Sequence, residues 1–375
     1  MRVLHTSDWH FGIQLHGISL LEEQKAAACF LEQTIQEKHI DAVILAGDIF
    51  DHAVPIPEAV SLYSDMMERL CKGCHIPILL CAGNHDSAAR LSVCAPLLRD
   101  AGLYIAGSLS SGVEPIVIGN AAFFLLPYFN AEEARYLYPD REIRTVSDGM
   151  TVVCQELLKQ CVPGKRNILI SHCFAAGGKP EESDRAAVLG TAGRVALTAF
   201  EGFDYVALGH LHQAQQFTMG NTIIRYSGTP YPYSFAEAGK EKTFTILDTD
   251  TMELDTIPIP LLHPLRVLRG KREFLLEMAP FDPNKEDFIK IELTDTIPSM
   301  ALMADFRAVY PNLLVFDGLQ PEGSGSGLTV EELDALRPLD LVTRFCEEIG
   351  GFTPEEDLLH LFQEEALHKA EEQGG

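Results

Sequence analysis

Between the N-terminus and Leu262 the chain alternates short apolar blocks with amphipathic stretches. The blocks RVLHTSD, DAVILAG, IPILLCAG, AAFFLLPY, RNILISH and FDYVALGH each end in polar or glycine residues, the pattern of buried strands. Leu20–Lys38 and Pro57–Lys72 lie between the first three blocks and read as helices. Strand–helix alternation predicts an α/β fold, with sheets covered by helices and chemistry collected at strand C-termini. After Gly209 the alternation stops, and AQQFTMG, NTIIRYSG, KTFTILDT and ELDTIPI predict consecutive hairpin strands.

A smaller unit follows, read as strand Arg266–Leu276, strand Asp287–Leu293, helix Ser299–Val309 and strand Leu313–Phe316. PEGSGSG, Pro321–Gly327, is a linker by composition. Two helices are expected beyond it. The second opens on Thr353, Pro354 and Glu356, an N-cap, a first-turn proline and a capping-box acid. Leu358, Leu359, Leu361 and Phe362 then form an apolar face that a short tethered helix cannot satisfy alone, which suits a partner surface. The expected divisions are 1–262, 263–320, 321–328 and 329–375.

Composition narrows the class. At 46% hydrophobic and 22% charged residues the chain can bury a sizeable core. No apolar run reaches the ~18–20 residues of a membrane span, and MRVLHTSDWH lacks a signal-peptide layout, so the expected location is the cytoplasm. The nine cysteines have no framework spacing. Cys71 and Cys74 form a lone CxxC, open between ordinary thiols and a metal or redox role. A net charge of −25 disfavours phosphate binding by this chain alone. Either the substrate is not DNA or another subunit supplies the positive field. There is no P-loop, so any ATP dependence belongs to a partner.

Candidate chemistry gathers where the apolar blocks end: Asp8 and His10, Gly47-Asp48, Gly83-Asn84-His85-Asp86, His172, and Gly209-His210-Leu-His212, with Asp51-His52 a weaker addition. Singly, each is an ordinary turn or a hydrogen-bonded histidine. Together they offer only oxygen and nitrogen donors. Asp8 and His10, two apart, would share a face of an extended chain, as would His210 and His212. Such a set suits two cations sharing one carboxylate, about 3.5–4 Å apart, gripping a phosphate and its attacking oxygen.

These motifs resemble, in type and order, those of the calcineurin-like metallophosphoesterases. The phrases LHTSDWHFG, GNHDSAARLS, SHCFAAGG, YVALGHLHQAQ and RYSGTPYPYSF are similar to its recombination-nuclease branch, and the resemblance covers essentially the whole chain. It implies a four-layer αββα sandwich with a small α+β capping domain and C-terminal helices. One metal would be held by Asp8, His10, Asp48 and His212, the other by Asp48, Asn84, His172 and His210, with Asp48 bridging. His85 would act as general acid, supported by Asp86. His52 is open between a phosphate contact and a surface histidine. The family implies two Mn2+ ions, and the ligand types also admit Mg2+, Zn2+ or Fe. Ile13 and Pro232 stand where relatives often carry basic residues, so the contacts those residues would make to DNA are not expected here.

The resemblance further implies a 3′→5′ duplex exonuclease and single-strand or hairpin endonuclease. Its partners would be DNA, an SMC-like ATPase docked on the C-terminal helices, and a second copy of the chain. Arg266, Arg269, Lys271 and Arg272 are the densest basic cluster, open between phosphate contact and a charged strand edge. A phosphomonoesterase or nucleotide phosphodiesterase would use the same metal core. A non-catalytic scaffold would be expected to have lost ligands, and here all are present.

Overall fold

The computed structural model describes residues 1–180, 183, 193–319, 343, 354 and 359. The expected linker at 321–328 therefore lies outside the described residues, as do Leu358, Leu361 and Phe362 and nearly all of the expected C-terminal helices, while Leu359 is described singly.

Strands β1 (Arg2–Thr6), β2 (Ala42–Ala46), β3 (Ile78–Cys81) and β4 (Leu103–Ala106) pair in parallel in that order. Strands β5 (Ala121–Leu126), β6 (Arg166–His172), β7 (Tyr205–Gly209) and β8 (Thr222–Tyr226) form a second parallel run. Parallel strands with both faces covered read as continuous apolar runs, which is why the blocks show little alternation. The alternation survives in what each residue meets. Val3, Ile44, Leu79 and Cys81 pack against Phe123, Ile168, Ile170 and Ala207 of the opposite sheet. Leu4, Val43, Leu45 and Leu80 turn outward to Ala27, Leu31 and Ile35 of helix α1 (Leu21–Lys38) and Met66 of α2 (Pro57–Glu68). On the far side, Phe124, Leu169, Val206 and Leu208 pack on Met150, Val153 and Leu157 of α3 (Val146–Leu158). The layers thus run helix, sheet, sheet, helix.

Hairpin strands close the sheets. The predicted consecutive run divides into two hairpins, one per sheet. Gln215–Met219 turns back on β8, while Thr243–Asp248 pairs antiparallel with β1 and then with Leu254–Pro258. Ile116–Ile118 edges the second sheet beside β5.

The smaller unit corrects one reading. Arg266–Leu276 is not one strand: β9 (Leu265–Gly270) ends at Gly270, and helix α4 (Arg272–Met278) follows Lys271. Leu275 and Ala279, four apart, turn into the unit's core while Phe274 and Met278 stay exposed, a helical rather than a two-residue period. β9 pairs in parallel with β10 (Phe288–Leu293), which pairs with β11 (Leu313–Asp317), and α5 (Met300–Arg307) packs Leu302 and Phe306 on them. Arg266 and Arg269 are three apart on a strand and so face opposite ways. Arg266 is committed inside the unit, to Asp282 at 2.7 Å and Asp287 at 3.2 Å, whereas Arg269, Lys271 and Arg272 are exposed.

The small unit docks beside the ends of the sheets. Leu265 and Phe288 share an apolar cluster with Leu15, Leu20, Tyr231 and Tyr233. His263 Nδ1 lies 2.6 Å from Glu23 Oε1 of α1. Among the described residues no helix is long and apolar enough to cross a membrane.

Candidate metal centre

β1, β2 and β3 run in parallel, so the segments after Thr6, Ala46 and Cys81 leave one edge of the first sheet. β6 and β7 place His172 and Gly209 side by side in register. Asp8, His10, Asp48, Asn84, His172, His210 and His212 consequently converge at the sheet ends, and all but Asn84 are buried.

Asp8 and His10 do not share the face of an extended strand that their spacing predicts. Strand β1 has ended at Thr6, and both residues are left-handed, at φ 54° and 45°. Asp48 at φ 49° and His210 at φ 104° share that departure, which bulky residues adopt only when surrounding structure enforces it. Here main-chain bonds enforce it: Asp8 N–H donates to Gly47 O at 3.0 Å, and His10 N–H to Asp48 O at 3.0 Å. From α1, the Gln24 amide donates to Trp9 O at 2.7 Å and His10 O at 2.8 Å, and Tyr233 Oη donates to Trp9 O at 2.6 Å. Glycine makes the crossing possible. A Cβ on Gly83 would lie 2.1 Å from Asp48 Oδ1, and one on Gly209 1.9 Å from Ala46 O.

Asp48 is the hub. Its Oδ1 accepts from His85 N–H at 2.9 Å, and its Oδ2 lies 3.3 Å from His172 Nε2 and 3.7 Å from His10 Nε2. Asn84 Oδ1 sits 3.0 Å from His172 Nε2 and 2.9 Å from His210 Nδ1. His210 N–H donates to Asp8 Oδ1 at 2.9 Å, while Ser7 Oγ holds Asp8 Oδ2 and meets Ser227 Oγ at 2.8 Å. The Asp86 carboxylate accepts from the N–H groups of Ile49, Phe50 and Gly83, tying two site loops together. His85 Nδ1 meets Asp51 O at 2.8 Å, and its ring lies perpendicular to His10 with 4.8 Å between centroids. His52 stays at the rim, its side chain 79% exposed and 3.2 Å from Asp51.

Electrostatics separate histidines that are already neutral from groups that hold a proton. Burial holds the pKa of His10 at about 4 and of His210 at about 3, and pushes His212 well below the usual imidazole range. All three are therefore neutral at pH 7, the form that ligates a cation. Burial raises Asp8 to about 7, opposed by His172 and reinforced by the charge of Asp48. Burial also acts to raise Asp48, yet the charge and hydrogen bond of His172, with His10 and His85, hold it well below the usual carboxylate range. Burial disfavours charge on His172, but Asp48 and Asp8 keep its pKa at about 9.

Divalent cations fit this donor set. Both ring nitrogens of His10 are buried without a hydrogen-bond partner, a costly arrangement that a cation would relieve. Donor atoms of Asp8, His10 and His212 lie within 4.8 Å of one another, and so do those of Asp8, Asp48 and His172. These groups share Asp8, whereas the resemblance implies Asp48 as the bridge, and Asp48 Oδ2 is close to both. His10, Asp51 and His85 form a third such group. A cavity of about 310 Å³ opens beside His172 and His210, walled by Tyr128, Asn130, Arg144 and Phe174.

Sequence reasoning missed the supports. Gln24, Tyr233, Glu237 and Lys242 are polar groups in otherwise apolar surroundings. Glu237 and Lys242 sit among four charges between Tyr231 and Thr243, with Lys240 and Glu241, and nothing local marks which two are buried.

A fold of two facing α/β sheets with a cluster of carboxylates and imidazoles at the strand ends defines a metal-dependent phosphoesterase, and residues 1–214 match the family model of the calcineurin-like phosphoesterases. The chain belongs to that family. Within it, the chain is a relative of SbcD, the nuclease subunit of SbcCD: the protein from Staphylococcus epidermidis is 32% identical over 322 residues, covering 85% of this chain and 86% of that one. Residues 261–349 match the SbcD_C model, described as the Type 5 capsule protein repressor C-terminal domain. Among solved structures, TT1561 of Thermus thermophilus is 14% identical, covering 69% of this chain and 99% of that one at a TM-score of 0.41. A novel archaeal phosphodiesterase is 11% identical with the same coverages at a TM-score of 0.33.

Proposed function

We propose that this chain is the nuclease subunit of an SbcCD-type complex, hydrolysing DNA phosphodiesters as a 3′→5′ duplex exonuclease and single-strand or hairpin endonuclease in repair, replication and recombination. The observation that carries the reading is a complete donor cluster at the sheet ends of a chain related along most of its length to such a subunit. In this reading residues 1–262 are the nuclease unit, 263–320 a cap that meets DNA through Arg269, Lys271 and Arg272, and 321–375 the linker and helices that dock on an SbcC-type ATPase. That partner would supply the positive field that a chain of net charge −25 lacks. The protein would work in the cytoplasm, on the nucleoid.

Asp8, His10, Asp48 and His212 would hold one cation and Asp48, Asn84, His172 and His210 the other, with Mn2+ the expected ion. When bound, such a pair neutralises phosphate charge and makes a water acidic enough to attack near neutral pH. The chain's residues do the rest. Asp48 fixes the separation of the two donor groups. His85, anchored through Nδ1 to Asp51 O, directs Nε2 toward the phosphate and gives a proton to the departing oxygen. Asp86 locks the loops of Asp48 and Asn84, and His52 meets the phosphate from the rim. Exposed Tyr128 offers a stacking wall for the nucleoside beside the phosphate.

The chain would act as a homodimer inside a heterotetramer. Exposed Val54, Ile56 and Val60 lie on a segment tied to that of exposed Val93 and Leu97 by Arg90 Nη1 donating to Ala53 O at 2.6 Å, an apolar patch suited to a second copy.

Incubation of the purified chain with end-labelled duplex DNA and Mn2+ is expected to give degradation that EDTA stops, with label position reporting polarity. Release of phosphate from monoesters with no cutting of DNA, even after addition of the ATPase, would replace this reading with a phosphomonoesterase.

Cation binding is expected to tighten as pH rises from about 6 to 9. His172 must lose a proton retained up to about pH 9 and Asp8 one retained up to about pH 7, so protons compete with the cations below those values. Calorimetry in buffers of differing ionisation enthalpy should detect net proton release. Binding without release would mean that these two groups do not ligate.

A further inference from the structure

His212 is held from behind by a relay that runs from half-buried Ser183 to a buried ion pair. Ser183 Oγ lies 2.8 Å from His212 Nδ1 and 2.8 Å from Glu237 Oε1. Glu237 is fully buried, and its Oε2 takes a 2.5 Å bond from Lys242 Nζ, itself only 6% exposed. The other two donors of that ammonium are also used: Nζ donates to Thr229 Oγ1 at 2.8 Å and to the main-chain oxygen of His212 at 3.1 Å. Thr229 N–H bonds the same oxygen at 3.1 Å. Glu237 Oε1 also accepts from Tyr233 N–H at 3.3 Å, and Tyr233 Oη reaches Trp9 O beside Asp8 and His10.

A buried ion pair is costly to desolvate and by itself poor evidence of stability. Here its geometry has a direction. Nδ1–H of a neutral His212 donates to Ser183 Oγ, the serine hydroxyl donates to Glu237 Oε1, and Lys242 Nζ donates to the other carboxylate oxygen. Each proton is used once, and Nε2 becomes the nitrogen that would ligate. Carboxylate-backed histidines fix tautomer and ring orientation in this way.

We propose that Ser183, Glu237 and Lys242 are positioning residues that set the tautomer and orientation of His212 for one cation of the pair. The inference rests on the metal-site reading above and adds to it that the two cations depend unequally on this relay. Because the relay touches only His212 among the proposed ligands, its loss should weaken one cation and spare the other.

The test is titration of the full chain with Mn2+, free ion being read by its paramagnetic resonance signal, together with the melting temperature of the metal-free protein. Wild type should bind two ions. Ser183→Ala should weaken one by about 10–100-fold and leave the other unchanged, with the metal-free melting temperature unmoved and binding restored in Ser183→Thr. The neutral double variant Glu237→Gln/Lys242→Met, which avoids stranding one buried charge, should show the same one-site loss. Two unaltered sites in both variants would overturn the relay, as would equal weakening of both sites together with a lowered melting temperature, the sign of a merely structural role. A wild type that binds no Mn2+ would overturn the metal-site reading itself, and the relay with it.

Discussion

Replacing Asp48 with alanine is expected to abolish DNA cleavage and to remove tight binding of both cations in an Mn2+ titration. The carboxylate reaches both donor groups: Oδ2 lies between His172 and His10, while Oδ1 is pinned by the His85 amide. Its loss would also free His172, whose pKa of about 9 is held up by Asp48 and Asp8 against burial. Metal assistance is worth several kcal/mol of transition-state stabilisation, on the order of 10³-fold in rate or more. Two-site Mn2+ binding by a folded Asp48→Ala variant would show that Asp8, shared by both geometric donor groups, is the bridge instead.

His85→Gln should separate binding from turnover. Mn2+ binding is expected to stay at two sites, while kcat falls by about 10²–10⁴-fold, the usual contribution of a general acid. Glutamine keeps the main-chain N–H that serves Asp48 Oδ1, so the hub is untouched. It cannot deliver a proton as imidazolium does. Cutting at the wild-type rate would take the acid role away from His85, and loss of metal with loss of rate would make it a ligand partner. The third donor group, of His10, Asp51 and His85, is the geometric reason to measure both.

Strands buried on both faces were legible because an apolar block bounded by glycine has few other homes. The convergence of Asp8, Asp48, Asn84, His172 and His210 followed from their positions at block ends. The way they converge did not. Nothing local in DWH tells an extended chain from two left-handed turns, since the main-chain partners of Asp8 and His10 lie some forty residues on, at Gly47 and Asp48. Ala131–Leu137 and Val146–Leu158 carry readable capping boxes at Asn130/Glu133 and Thr145/Asp148, and those helices went unread. Arg266–Leu276 misled because Lys271 and Arg272 look like an edge-strand run until Leu275 is seen to face inward. Glu237 and Lys242 could not be placed from sequence, because a buried ion pair shows only in three dimensions.

The pairing of β1 with Thr243–Asp248 has a consequence for how the chain is made. Arg2 lies opposite Asp248, so β1 waits for a strand about 240 residues further on, almost the last of the phosphoesterase layers. At about 5–20 residues per second on the ribosome, the interval is on the order of 10–50 s. Throughout it one edge of β1 is open, and for most of it His210 and His212 are not yet available to complete the site. The nascent chain therefore gains a closed sheet and its metal-binding capacity in the same late step, and a ribosome-bound fragment short of residue 250 should depend on holdase chaperones to keep that edge from pairing with another chain.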